Sequence, residues 1–146
     1  MGLTHNWKRP TELPPDAFAK ASADFRRVVA TIDVPLGGFD GSGKPTFDSD
    51  SIVFNGAAGA GCEPFEIRQT EFDRRGRALF WSFCKTNHAR YDVCVKAALI
   101  VLKHHLGDEI KITSDASDAE WGEARKACQM SVGYGQDFKL DPSEPA

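Results

Sequence analysis

The stretch that most constrains the fold covers residues 91–106, YDVCVKAALIVLKHHL, which is apolar around nearly its whole circumference when drawn as a helix. Only Asp92, Lys96 and Lys103 share one polar stripe, and the first two are spaced for an i,i+4 ion pair. Such a helix has to be covered on nearly all sides. A membrane-spanning helix needs about 20 apolar residues, and this stretch is shorter. The pattern therefore predicts a central core helix that ends at Gly107.

The length of 146 residues is enough for one domain with its own hydrophobic core. Residues 1–15 are polar and rich in proline, which predicts a flexible arm. Residues 16–135 predict a single domain, and residues 136–146 predict a disordered tail. The four cysteines form no CxxC pair, and the first fifteen residues contain no apolar signal segment. These features predict a cytoplasmic protein with reduced thiols and no membrane contact.

Hydrophobic periodicity predicts the other elements. A short helix is expected at 16–25, and alternation predicts strands at 27–34 and 51–55. Residues 64–73 and 78–86 flank a glycine-containing loop and predict a hairpin. A short strand is expected at 109–113, followed by a helix that opens with a Ser117/Glu120 capping box and stops near Gly133.

The resulting order, β, β, β, β, α, β, α, predicts an α+β fold. It would contain a mostly antiparallel sheet of about five strands, a C-terminal β-α-β-α unit, and helices packed on one face. Residues 78–86, ALFWSFCKT, carry Leu79, Trp81 and Phe83 on one face and Phe80 and Cys84 on the other. Apolar side chains on both faces predict a central strand buried against the core helix.

The β-α-β unit predicts the best candidate site, because parallel strands would place their C-terminal ends beside the N-terminus of the core helix. Ligands favour that edge of a sheet, and the exposed amides of a helix N-terminus attract anions. The sequence therefore predicts a binding rim for a protein partner or a small anionic ligand at the turn 84–92. Its expected residues are Lys85, Thr86, Asn87, His88, Arg90, Tyr91 and Asp115. The alternative is that the turn is only a polar connection.

An enzymatic alternative uses Cys84 as the nucleophile, His88 as the base and Asp92 as the orienting acid. The same region offers Cys84, His88 and Cys94 as zinc ligands, but their spacing matches no standard zinc motif. The glycine-rich segment 38–44 has Pro45 where a phosphate-binding loop needs Ser or Thr. The sequence therefore predicts no metal and no cofactor.

Charge is distributed unevenly, since residues 74–105 hold seven Lys or Arg and one Asp between two acidic regions. The basic segment either pairs with the chain's own acidic ends or meets an anionic partner, and the first interpretation is favoured. A further alternative is nucleic-acid binding by the basic segment 74–103, through Arg74, Arg75, Arg77, Lys85, Arg90 and Lys96.

Several short motifs carry a resemblance: FCKTNHARYD, AALIVLKHHLGD, the later SD and EW pairs, FNG at 54–56 and CEPF at 62–65. This combination resembles an uncharacterised family of small proteins from phages and bacteria, over roughly residues 28–133. The resemblance implies a small intracellular protein encoded by a phage or mobile element, and it supplies no catalytic residues. Taken with the motifs above, the sequence favours a non-enzymatic intracellular binding protein.

Overall fold

A computed structural model describes residues 2–143, so position 1 of the predicted arm and positions 144–146 of the predicted tail lie outside the described residues. The fold is α+β, as the sequence predicts. The helices are α1 (Pro15–Val29), α2 (Asp92–Leu106) and α3 (Gly122–Val132). The strands are β1 (Thr4–Pro10), β2 (Leu36–Gly37), β3 (Thr46–Phe47), β4 (Ser51–Gly56), β5 (Phe65–Arg68), β6 (Leu79–Lys85) and β7 (Lys111–Ser114). Short 3-10 turns cover Ala57–Gly59, Gly107–Glu109 and Asp118–Trp121.

The strands form two antiparallel sheets in place of the single sheet expected. The first sheet has the order β6-β1-β7, with both outer strands antiparallel to β1. The second sheet is built on β4, which pairs with β2, β3 and β5. Trp7 of the first sheet packs on Phe65 of the second, with ring centroids 5.1 Å apart, so the two sheets share one core.

Helix α2 is the centre of the core, as its apolar circumference predicts. Its apolar residues from Cys94 to Leu102 are buried, and α1 and α3 pack against it. Asp92 and Lys96 form the expected i,i+4 ion pair, with Oδ2 and Nζ 2.7 Å apart. Gly107 ends the helix with a φ of 56°, a conformation that favours glycine.

The prediction of a flexible arm is wrong for residues 2–15, because β1 is the central strand of the first sheet. Side chains of β1 alternate, with His5, Trp7 and Arg9 buried on the inner face. Two of these three residues are polar, so the alternation is hidden from a hydrophobicity pattern. The Arg9 guanidinium donates to four backbone carbonyls and to Glu71, which satisfies it inside the fold.

The prediction of a disordered tail is also wrong for residues 136–143. Phe138 is buried and stacks on Trp121, with ring centroids 5.1 Å apart. Asp141 pairs with Lys103 at 3.1 Å and bonds to the backbone of Ile112. These contacts fix the segment although it has no regular secondary structure.

Two further expectations about strands are wrong. Residues 27–29 belong to the end of α1, and residues 30–34 contain no strand, so no strand covers 27–34. Strands β5 and β6 do not form a hairpin, since β5 pairs with β4 and β6 pairs with β1.

The expected β-α-β unit of β6, α2 and β7 is also altered, because its two strands do not pair with each other. Strands β6 and β7 run in the same direction, but β1 lies between them.

Candidate functional site

The predicted rim lies at the end of the first sheet where β6 and β7 both finish. Lys85 of β6 lies opposite Thr4, and Ser114 of β7 lies opposite His5. The two strand ends therefore flank β1 instead of lying side by side. The N-terminus of α2 is held at the same place, because Asp92 bonds to His5.

A buried polar network centred on Asp92 ties these elements together. One carboxylate oxygen accepts hydrogen bonds from His5 Nε2 at 2.7 Å and from Thr86 Oγ1 at 2.5 Å. The other oxygen lies 2.7 Å from Lys96 Nζ. His5 Nδ1 lies 2.7 Å from Ser114 Oγ. The network thus joins β1, β7, α2 and the turn after β6 through satisfied polar groups.

The charge of Asp92 is stabilised despite its burial. Burial by itself would raise the pKa of this carboxyl group, but hydrogen bonds from His5, Lys96 and Thr86 outweigh it and lower the pKa to about 2. Asp92 is therefore ionised at neutral pH, and its hydrogen bonds are charge-assisted. Sequence reasoning found Asp92 and Thr86 but missed His5, which it placed in the arm.

Ser114, His5 and Asp92 contact one another in the order of a Ser-His-Asp catalytic triad. The surroundings of these residues nevertheless favour a structural role. The His5 side chain is completely buried. Ser114 Oγ also accepts a hydrogen bond from the Ala116 amide at 2.9 Å. A relay needs space where a substrate reaches both the nucleophile and the base. We therefore interpret this network as a clamp on the end of the sheet.

The remaining rim residues lie in different environments. Thr86 and Tyr91 are buried, so they support the turn from inside. The Tyr91 hydroxyl donates to the carbonyl of Glu63, and burial raises the pKa of Tyr91 above its usual value. Asp115 is exposed, and its carboxylate accepts a hydrogen bond from the Thr4 amide at 3.2 Å.

The exposed part of the rim consists of Lys85, Asn87, His88 and Arg90. Asn87 and His88 have φ values of 54° and 63°, in the left-handed region that costs non-glycine residues on the order of 1 kcal/mol or more each. Arg90 donates to the carbonyl of Asp33 at 3.1 Å. The turn is therefore sharply bent, and it is anchored on both sides of its exposed tip.

A surface cavity of about 470 Å³ lies beside this turn, next to residues 32–34 and the start of α3. Its charged lining contains four carboxylates, two cationic side chains and one histidine: Asp33, Asp92, Glu120, Glu123, Arg90, Lys96 and His88. Lys96 is already paired with Asp92. A lining with an excess of carboxylates repels anions. The geometry therefore gives little support to a small anionic ligand at this place.

The thiol alternative finds no relay in the structure. Cys84 is buried, its Sγ donates to the carbonyl of Glu63 at 3.5 Å, and burial raises the pKa of the thiol to about 12. His88 lies on the exposed turn, and Asp92 is engaged with His5. A thiol with so high a pKa supplies almost no thiolate near neutral pH. Within residues 2–143, no group of three His, Cys, Asp or Glu side chains is placed to hold a metal.

The basic segment 74–103 forms ion pairs with acidic residues on both sides of it in the sequence. Arg77 pairs with Asp73 at 2.8 Å, and Lys103 pairs with Asp141 at 3.1 Å. These ion pairs join the basic segment to the chain's own acidic regions, which is the interpretation that the charge distribution favours. They also reduce the positive charge that this segment presents to a nucleic acid.

Strand β6 is an edge strand with an exposed apolar face, which corrects the prediction of a buried central strand. Leu79, Trp81 and Phe83 are 54%, 41% and 62% exposed, whereas Phe80 and Cys84 on the opposite face are buried. The difference arises because the core covers only the inner face of the first sheet. A strand with apolar side chains on both faces is more typical of a fully covered sheet, which explains the error.

A groove of about 590 Å³ lies beside β6 on the side of β5, and we call it the β6 groove. Phe39, which is 57% exposed, lines it together with Trp81 and Phe83. Its charged lining residues are Glu63, Glu66, Glu71 and Arg74. The strand end meets Glu63 directly: the Glu63 amide donates to the Lys85 carbonyl, and the Lys85 amide donates to Glu63 Oε1. We call Phe39, Leu79, Trp81 and Phe83 the aromatic surface.

The backbone groups of β6 alternate in direction along the strand. Because Lys85 bonds to Glu63 through its amide and carbonyl, those two groups point away from β1. Hydrogen-bonding direction in a strand has a period of two residues, so the amides and carbonyls of Trp81 and Phe83 point the same way. In the described part of the chain no strand pairs with this edge.

The opposite edge of the same sheet is closed by the chain itself. The Ile112 amide of β7 donates to Asp141 Oδ2 at 2.8 Å, and the Asp141 amide donates to the Ile112 carbonyl at 2.9 Å. Lys103 of α2 holds Asp141 in place. The sheet therefore has one closed edge, at β7, and one open edge, at β6.

Comparison with known proteins does not assign the chain to a family: no family model, no curated protein and no solved structure matches it. The resemblance to small phage and bacterial proteins stays a prediction. Among residues 2–143, no helix combines the length and the apolar character that crossing a membrane requires.

Proposed function

We propose that this chain is a non-enzymatic binding protein that binds a protein partner through the aromatic surface. One observation carries the proposal. Six large apolar side chains are exposed in the described structure, and four of them belong to this surface. Phe39, Trp81 and Phe83 line the β6 groove, and Leu79 lies on the same face of β6 as Trp81 and Phe83. Single exposed apolar residues are ordinary, but a contiguous group of them is typical of an interaction site.

The charges near the aromatic surface favour a protein over a nucleic acid. Glu63, Glu66 and Glu71 line the same groove as Trp81 and Phe83. Carboxylates repel the phosphate backbone, which supplies most of the affinity in nucleic-acid complexes. Aromatic side chains are enriched at the centres of protein interfaces, where they contribute most of the binding energy.

Single-stranded nucleic acid is a second candidate, favoured by the lysines on the outer face of the first sheet. Lys111 on β7 and Lys85 at the end of β6 lie on the same outer face as Trp81 and Phe83. Aromatic rings that stack on bases, combined with cations that contact phosphates, are typical of single-strand binders.

The protein-binding proposal is tested by selecting peptides from a random display library on the immobilised protein. The peptides should be at least as long as the seven residues of β6. Selected peptides are expected to bind Trp81→Ala and Phe83→Ala about tenfold or more weakly than the wild type, because an aromatic side chain at an interface centre contributes more than 1.4 kcal/mol.

Matched controls are Phe72→Ala and Met130→Ala, which remove exposed apolar side chains outside the aromatic surface. Both are expected to leave peptide affinity unchanged. The proposal fails if no peptide is enriched, or if the enriched peptides bind Trp81→Ala and Phe83→Ala as tightly as the wild type.

The nucleic-acid candidate is tested by titrating a fluorescent single-stranded oligonucleotide at several salt concentrations. Binding through lysines predicts an affinity that falls steeply as salt rises, because counterions are released from the phosphates. Lys111→Gln should reduce that slope, and Lys126→Gln on the exposed part of α3 should not. Absence of binding, or a flat salt response, removes this candidate.

A further inference from the structure

Except at Lys85, whose outward backbone groups bond to Glu63, the open edge of β6 lacks the features that usually protect the edge of a sheet. Natural edge strands are shortened, covered, or interrupted by proline or inward charges. Strand β6 is seven residues long, contains no proline, and carries Leu79, Trp81 and Phe83 at its exposed positions before Lys85. At β7 the chain covers the equivalent edge with the segment around Asp141.

We propose that the β6 groove binds an extended segment of the partner, which adds to the free edge of β6 as a further antiparallel or parallel strand. This inference rests on the proposed function, because it specifies how the partner is bound. The occupant is a single extended peptide segment, not a folded surface.

The backbone of β6 supplies the first argument. The amides and carbonyls of Leu79, Trp81 and Phe83 all point away from β1, because these residues lie an even number of positions from Lys85 on the strand. Successive outward groups are about 7 Å apart, which is the repeat of an extended chain. A helix or a loop does not present groups at this interval, so the edge is complementary to an extended segment.

Strand β5, on the other side of the groove, supplies the second argument. On β5, the Arg68 amide donates to Glu71 and the Arg68 carbonyl accepts from Arg9, so these groups point away from β4. By the same period of two, the backbone of Glu66 also faces the groove. The groove is thus flanked by β6 and β5 at a place where the two sheets do not pair.

The side chains of the groove predict the composition of the segment. Alternate residues of an added strand would lie beside Trp81 and Phe83 on the outer face, where apolar side chains fit. Glu66 pairs with Arg68 at 2.7 Å and Glu71 pairs with Arg9 at 2.9 Å. Among the described residues no cation pairs with Glu63, whose carboxylate accepts only the Lys85 amide. A basic residue near one end of the segment would complement Glu63.

The test compares Phe83→Pro with Phe83→Ala, using the peptides selected on the wild-type protein. Both variants lose the ring, but only proline removes the outward amide. Because that amide does not bond to β1, proline is compatible with this edge position. We expect the peptides to bind Phe83→Pro about tenfold more weakly than Phe83→Ala, which corresponds to one lost hydrogen bond.

A second measurement keeps the test valid if Phe83→Pro does not fold. Single N-methyl groups are placed at each position of a selected peptide, and affinity for the wild-type protein is measured. Strand addition predicts that affinity falls about tenfold or more at alternate positions and is retained at the positions between them, because only every second amide of an added strand faces β6.

The outcomes separate this inference from the proposed function. Peptides that depend on Trp81 but show no period-two loss overturn strand addition and leave the protein-binding function intact. Peptides that do not depend on Trp81 overturn both. A dimer that dissociates on Phe83→Pro substitution, measured by sedimentation, would mean that a second copy of the chain occupies the edge, and it would overturn the peptide-segment proposal.

Discussion

The two edges of the β6-β1-β7 sheet differ although both strands pair with the same central strand. At β7 the backbone of Ile112 is bonded to Asp141, and the outer-face residues Lys111 and Thr113 are polar. At β6 no strand among the described residues pairs with the outward backbone groups of Trp81 and Phe83, although Lys85 at the strand end bonds to Glu63. The outer face of β6 carries the Trp81 and Phe83 side chains. Apolar side chains and free backbone groups thus occur on the same strand, which is the combination that an added segment needs.

The largest effect is expected from a core substitution that lies beneath both edges. Leu99 is completely buried in α2, so Leu99→Ala should lower the free energy of unfolding by about 2–5 kcal/mol. Unfolding in urea should show the same transition whether it is monitored by tryptophan fluorescence or by hydrogen exchange of the Ile112 amide. The exposed control Lys126→Ala should change stability by less than about 0.5 kcal/mol. Separate transitions at the two edges would show that they belong to different cooperative units.

The next largest loss of stability is expected when Asp92 is protonated or substituted, because its carboxylate connects β1, β7 and the turn after β6 at the end of the sheet. The pKa of Asp92 is lowered from 3.8 to about 2 in the folded chain. A depressed carboxyl pKa stabilises the fold fully above the unfolded pKa, and this contribution is lost as pH falls through 4 towards 2. The shift corresponds to about 2 kcal/mol.

This contribution is measured as the pH dependence of urea unfolding. Asp92→Asn should be less stable than the wild type at pH 7 and should show a flatter profile between pH 4 and pH 2. Asp137→Asn, at an exposed position, is the control and should follow the wild-type profile. Identical profiles for wild type and Asp92→Asn would show that the clamp does not stabilise the fold.

Helix α2 was predictable from the sequence because its signal is local. Its apolar circumference, the Asp92–Lys96 spacing and the terminating glycine all lie within one stretch of chain. The capping box of Ser117 and Glu120 was predictable for the same reason, since both hydrogen bonds join residues three apart.

Strand β1 and the two edges were not predictable, because their determinants are far apart in sequence. His5 and Arg9 look like surface residues until Asp92 and Glu71, which are 87 and 62 residues away, satisfy them in the core. The candidate site at the turn 84–92 was predicted from the expected β-α-β unit, and it stays a prediction. The β6 groove also requires Phe39 and Glu63, which no local pattern connects to β6.

Removing the contact that closes the β7 edge should have a moderate effect. Asp141→Ala removes the side-chain partner of the Ile112 amide and the carboxylate that pairs with Lys103, so we expect a loss of about 1–2 kcal/mol. Exchange of the Ile112 amide should accelerate, which would make the β7 edge similar to the β6 edge. Asp137→Ala, in the same segment but exposed, should change neither quantity. Unchanged exchange at Ile112 would mean that Asp141 does not close the edge.

The smallest effect on stability is expected at the open edge itself. Leu79 is more than half exposed at the start of β6, so Leu79→Lys should change the free energy of unfolding by less than about 0.5 kcal/mol. The added charge should nevertheless reduce self-association at high concentration, measured by light scattering, because a lysine on an edge strand opposes pairing with another chain. Leu79→Ala separates loss of the apolar side chain from gain of charge.

A loss of more than about 1 kcal/mol for Leu79→Lys would mean that this side chain is covered in solution, since exposed positions tolerate such changes. The contrast between a closed β7 edge and an open β6 edge would then be wrong.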